Sequence, residues 1–177
     1  MEIFETRCKI KDIRGARNVA EKIGGIFKGH YSNTDIIFKA DKAESEKGVI
    51  VLRVFEINNR QTKNVMLTHK IAEWMDDKIK TDRILLKERF YTMKEALDFM
   101  IDNYGEGLRE DYKYYREGWE YHLDKSRIFI ENIEKLGPTI EIEAENKRDL
   151  ENLLKSFEII ECFPESTSEI MRKLLIK

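Results

Sequence analysis

The feature that most limits how this chain can fold is charge repeated at every second residue along segments that otherwise read as strands. In TIEIEAE, Glu141, Glu143 and Glu145 share one face, and Ile140, Ile142 and Ala144 take the other. In WEYHLD, Glu120, His122 and Asp124 oppose Trp119, Tyr121 and Leu123. The opening EIFETRCKI sets Glu5 and Arg7 against Phe4, Thr6, Cys8 and Ile10, and MLTHK adds Thr68 and Lys70. Successive side chains of a strand point to opposite sides of the sheet, so each segment buries its apolar side. The charged side has two destinations. It faces water, as one face of an antiparallel sheet often does, or it lines the tunnel of a closed barrel. Patterning alone leaves both open.

Between these segments the chain signals an α+β organisation. KDIRGARNVAEKIGG reads as a helix capped by Asp12 and stopped by Gly24 and Gly25. TDIIFK, GVIVLRVFEI, KNVMLTHKI and RILLKERFY read as strands, with INNRQTKN as a hairpin turn. TMKEALDFMIDNYG is a helix with Thr92 and Glu95 as a capping box and Gly105 as its stop. DYKYYREGWEYHLD reads as two strands joined near Glu117 and Gly118, followed by a short helix from Asp124 or Ser126 to Leu136. NKRDLENLLKSF and a last helix opened by Ser166 to Glu169, burying Ile170, Met171 and Leu174, complete about five helices. Strands never alternate one for one with long helices, which argues against a doubly wound parallel sheet. One domain over residues 1–177 is the expectation for this length.

Composition narrows the partners. Thirty-two Lys and Arg against 34 Asp and Glu leave a formal charge of -2. No global field draws in a nucleic-acid polymer or an anionic membrane, so any anion site must come from local clustering. No apolar run is long enough to span a bilayer and no leader pattern opens the chain, so a cytoplasmic location is expected. Cys8 and Cys162 stand far apart in no metal-ligand spacing, and Cys8 lies on an apolar face; a buried thiol is expected there. His30, His69 and His122 are isolated, and no phosphate-loop, dinucleotide or zinc-protease motif occurs.

The order of TDIIF at 34–38, VLRV at 51–54, LTHK at 67–70 and HLD followed by LGPTIEIE at 122–143 resembles the CYTH family. These are the triphosphate tunnel enzymes that include class IV adenylate cyclases, thiamine triphosphatases and inorganic triphosphatases. The resemblance covers nearly the whole chain. It implies a closed antiparallel barrel of about eight strands with helices packed outside. It also implies chemistry on a triphosphate or nucleotide with Mg2+ or Mn2+, and is compatible with a homodimer. Carried over, Glu5, Glu141 and Glu143 would hold the metal. Arg7, Arg53, Lys70 and Asp124 would be catalytic, with Arg7, Arg53, Lys70, Lys113, Arg116 and Tyr112 contacting substrate.

The departures from the family pattern are as informative. Ile3 replaces the first acid of the opening motif, and Phe55 the second arginine of the LRxR strand. The strand that places an acidic pair inward reads Leu86 and Glu88, and a basic pair is occupied by Glu110 and Tyr112. Thr167 stands for the terminal tyrosine. Losing a charge-assisted contact costs about 1.5–3 kcal/mol, so these changes predict an altered ligand or reduced activity. Three readings follow: a metal-dependent phosphohydrolase or cyclase, a non-catalytic protein binding a phosphorylated or aromatic small molecule on the same barrel, or a structural or interaction protein whose barrel residues are relics. A fold alone does not choose between them.

Overall fold

The computed structural model describes residues 3–41, 48–56, 64–105 and 107–176. Along the chain run β1 (Phe4–Ile10), α1 (Ile13–Lys22), β2 (Ile26–Lys39), β3 (Val49–Phe55), β4 (Val65–Trp74) and β5 (Lys80–Phe90). Then come α2 (Met93–Tyr104), β6 (Arg109–Leu123), β7 (Ser126–Ile133), β8 (Gly137–Ala144), α3 (Lys147–Leu154), β9 (Ile159–Cys162) and α4 (Thr167–Leu175). The strands pair antiparallel in the order β5-β4-β3-β2-β6-β7-β8-β1, and β1 meets β5 to close an eight-stranded barrel. The period-two charge therefore faces inward. The closing seam is short: Phe4 pairs with Thr81 and Glu5 with Lys80. Further along the same edge of β1, where β5 has diverged, β9 pairs with Cys8 to Ile10.

The apolar faces of the strands bury under helices. Ala16 and Ala20 of α1 and Leu150 and Leu154 of α3 pack on Tyr121, Ile128, Ile130, Ile140 and Ile142. Ala96 and Met100 of α2 pack on Ile36, Ile50, Leu52, Val65 and Leu67. Helix α4 behaves differently. Its Met171 packs against Ile37, Val51, Tyr112, Tyr114 and Ile133, which share the inward faces of their strands, so α4 caps one end of the barrel. Caps form where the sequence places them: Asp12 accepts from the Gly15 amide at 2.6 Å, and Thr92–Glu95 and Ser166–Glu169 are capping boxes.

Several expectations are corrected. The segment through Glu117 and Gly118 is one continuous strand, because Gly118 makes room for the Tyr31 ring rather than a turn. The stretch read as a helix after Asp124 is β7, buried on both faces, with Ile128 and Ile130 toward the outer core and Glu131 and Ile133 inward. That leaves four helices among the described residues rather than about five. Leu174 is exposed, while Ile170 and Met171 are buried. Cys8 and Cys162 are not thiols: they face each other directly across β1 and β9 and form a disulfide. The partner strand β9 went unread, so nothing in the sequence reading placed Cys162 beside Cys8. Most of the expected INNRQTKN turn lies outside the described residues. No helix among the described residues is long and apolar enough to cross a membrane.

Candidate metal and anion site in the tunnel

Inward side chains from all eight barrel strands line a cavity of about 720 Å³. Its acidic corner is set by strand register. Glu5 of β1 stands directly across from Glu143 of β8, and Arg7 from Glu141. One carboxylate oxygen from each of Glu5, Glu141 and Glu143 lies within 4.8 Å of the others. Burial and the neighbouring Glu141 push the Glu143 carboxyl up to about 7, and burial raises Glu141 as well. Glu143 Oε2 forms an ion pair with Arg127 across the β7–β8 pairing.

Deeper in, arginines and acids form a closed lattice. Arg7 donates to Glu131 at 2.5 Å, to Thr139 Oγ1 at 3.0 Å and to Glu141. Arg116 donates to Glu131 at 3.0 Å and faces Asp35 at 3.3 Å. Arg53 grips Asp35 through two nitrogens at 2.7 and 3.0 Å, the bidentate geometry that makes such pairs strong. The Tyr31 and Tyr114 hydroxyls donate to Glu131 and Asp35; burial first, and then these carboxylates, hold both phenols well above their ordinary range. Lys80 bridges Glu5 at 2.6 Å and Asp82 at 2.8 Å, and Lys70 also reaches Asp82. Burial would raise the Asp82 carboxyl, but the two lysines outweigh it and hold it below its ordinary range.

Of the residues singled out in the sequence, Glu5, Arg7, Arg53, Lys70, Arg116, Glu141 and Glu143 meet in this cavity, as do Ile3 and Phe55. Tyr112 instead sits under α4, donates to the Ser168 carbonyl and lines a neighbouring cavity of about 430 Å³. Three assignments are corrected. Asp124 lies exposed in the β6–β7 turn with φ 50°, away from the tunnel. Lys113 is exposed because it falls on the outward side of β6, between the inward Tyr112 and Tyr114. Leu86 packs in the core under α2, and Lys87 and Arg89 line the tunnel in place of Leu86 and Glu88.

The sequence reading missed Tyr31, Asp35, Lys80, Asp82, Tyr114 and Glu131. Asp35 is the one acid in TDIIF, and a single charge ahead of an apolar run is the signal that marks it. Glu131 was hidden by the helix reading. Lys80 and Asp82 stand at the start of β5, just before the segment read as that strand.

No protein-family model matches the chain, and no curated protein matches it. Solved structures do. The PH1012 protein from Pyrococcus horikoshii OT3 shares 15% identity, with 96% of this chain and 98% of that chain covered at a TM-score of 0.75. A candidate adenylate cyclase from Vibrio parahaemolyticus shares 11% identity over 97% and 98% of the two chains, at 0.72. A candidate adenylyl cyclase from Hippeastrum, described as having a dominant triphosphatase activity, shares 10% identity over 98% and 96%, at 0.69. At these identities the shared property is the fold. The closed eight-stranded antiparallel barrel is therefore the fold this chain shares with these structures, and it is the barrel that the sequence resemblance implies.

Proposed function

We propose that the tunnel holds a divalent cation and a triphosphate-containing small molecule, and that the protein is a metal-dependent phosphohydrolase or cyclase. The observation that carries this reading is the convergence of Glu5, Glu141 and Glu143 within 4.8 Å. Three carboxylates with a crowded, proton-holding member are a fitting donor set for a hard cation, which takes oxygen ligands. Mg2+ or Mn2+ bound there would offset charge developing on a transferring phosphoryl group. The chain's own groups prepare the place. Arg7 and Lys80 fix the orientation of Glu141 and Glu5, and Ile3 and Phe55 add apolar surface to the lining of the cavity. The triphosphatase activity described for the Hippeastrum protein supports the substrate class.

The test is calorimetric titration with Mn2+, alongside phosphate release from tripolyphosphate, thiamine triphosphate and nucleoside triphosphates and cyclic AMP formation from ATP. Mn2+ should bind the parent and fail to bind a Glu141→Gln, Glu143→Gln variant; equal binding would remove the metal assignment. The pH dependence follows from Glu143. Its folded value of about 7 exceeds the ordinary 4.5, so the folded state holds a proton that the unfolded chain has lost between those values. Its contribution to stability falls as pH rises through that window. Mn2+ competes with the same proton, so its affinity should be higher at pH 8 than at pH 6. The second reading, a non-catalytic binder, is favoured by the apolar Ile3 and Phe55. It prevails if Mn2+ and phosphate compounds bind but none turns over.

A further inference from the structure

Strand β5 changes which side it shows to the tunnel partway along. Lys80 and Asp82 face inward, opposite Trp74 and Ala72 of β4. His69 then pairs with Leu86 and Lys70 with Ile84, which leaves Leu85 without a partner on β4. One extra residue in a period-two strand turns every following side chain to the other face. Uninterrupted alternation from Asp82 would send Leu86 and Glu88 inward. With the bulge, Lys87 and Arg89 point inward instead, across from Thr68 and Met66, which also line the cavity.

These two cations differ from every other basic group in the tunnel. Arg7, Arg53, Arg116, Lys70 and Lys80 are already held by buried or half-buried acids, and Arg83 and Arg127 pair with Glu73 and Glu143. A ligand that took over Arg53 or Arg116 would strand Asp35 and Glu131, each 1% exposed, as unpaired buried charges, which is costly. Lys87 and Arg89 have no acidic partner among the described residues. Arg89 lies over the Phe55 ring, 5.9 Å from its centroid. Both are exposed, whereas Arg7 and Arg116 are buried, so they stand at the entrance.

We propose that Lys87 and Arg89, turned inward by the Leu85 bulge, are the anion seat of this tunnel and grip the outer phosphate of the ligand at its mouth. The inner arginines serve instead as paired structural charges. The inference rests on the phosphate-binding reading above.

The test uses the full chain with Mn2+ and inorganic tripolyphosphate as the probe, followed by calorimetry. Lys87→Ala and Arg89→Ala should each weaken binding about tenfold and the double variant about a hundredfold, each tenfold being about 1.4 kcal/mol. Lys87→Arg should retain most of the affinity, and Lys94→Ala, on the far side of the barrel wall in α2, should bind as the parent does. Circular dichroism of each variant should show the parent's β-sheet spectrum, so that lost binding is read at the seat and not as a lost fold. If the parent binds tripolyphosphate and the double alanine variant binds it equally well, the seat is refuted and the functional reading stands. A parent that binds no phosphate compound, with or without Mn2+, sinks the functional reading and the seat with it.

Discussion

Gly118 shows how much of this tunnel depends on a side chain that is missing. It lies in the middle of β6, where a Cβ would sit 2.5 Å from Tyr31 Cζ, 2.6 Å from its hydroxyl and 3.0 Å from Glu131 Cγ. An isolated glycine inside a strand pattern marks a close approach of this kind. The space lets Tyr31 reach Glu131 at 2.5 Å, and Glu131 in turn anchors both Arg7 and Arg116. Gly118→Ala should therefore destabilise the protein by about 1–3 kcal/mol through overpacking, read as a lowered urea midpoint. Removing the obstructing ring should relieve that cost. In a Tyr31→Ala background the same substitution should cost clearly less, and equal costs in both backgrounds would show that Tyr31 is not the neighbour being displaced.

Strand β9 is the piece that sequence reading could not supply, and the reason is physical. It is four residues long, pairs on one side only, and its exposed Ile160 gives no clean alternation of buried and solvated positions. Its place is fixed by tertiary contact: the Cys8–Cys162 disulfide, and the Phe163 amide donating to the Arg7 carbonyl at 2.9 Å. Cys162→Ser should lower stability by about 2–4 kcal/mol, with a matching fall in Tm when the parent is treated with dithiothreitol. A parent whose Tm ignores the reductant would mean the bridge contributes nothing. By contrast, β1, β8, α1, α2 and the cap of α4 were legible, because period-two charge, Asp12, Thr92–Glu95 and Ser166–Glu169 are local signals. The acidic triad was legible too, since its members alternate along two strands. The bulge at Leu85 was not, because only the register against β4 reveals it, and with it went the correct inward pair of β5. Glu131 was lost for a similar reason: SRIFIENI is buried on both faces, so its alternation is not a simple contrast of apolar and charged.

Across the molecule, the barrel is a sheet whose two end strands meet through only two residue pairs, Phe4 with Thr81 and Glu5 with Lys80. One of those pairs carries the Glu5–Lys80 ion pair, so the seam and the acidic corner are one structure, and β9 covers the part of β1 that β5 leaves. Helix α4 then caps the end of the barrel beyond Tyr112 and Tyr114. Because Cys8 lies in β1 and Cys162 in β9, the bridge makes a covalent circle through α1, α2, α3 and every barrel strand. Phe4 to Arg7 of β1 and the chain beyond Cys162, with α4, lie outside it. A single cut in the backbone inside that circle opens the circle without dividing the molecule. A protease site placed at exposed Gly105, once cleaved, should leave one band on a non-reducing gel and two after reduction, with the barrel's β-sheet spectrum kept in the nicked, oxidised form.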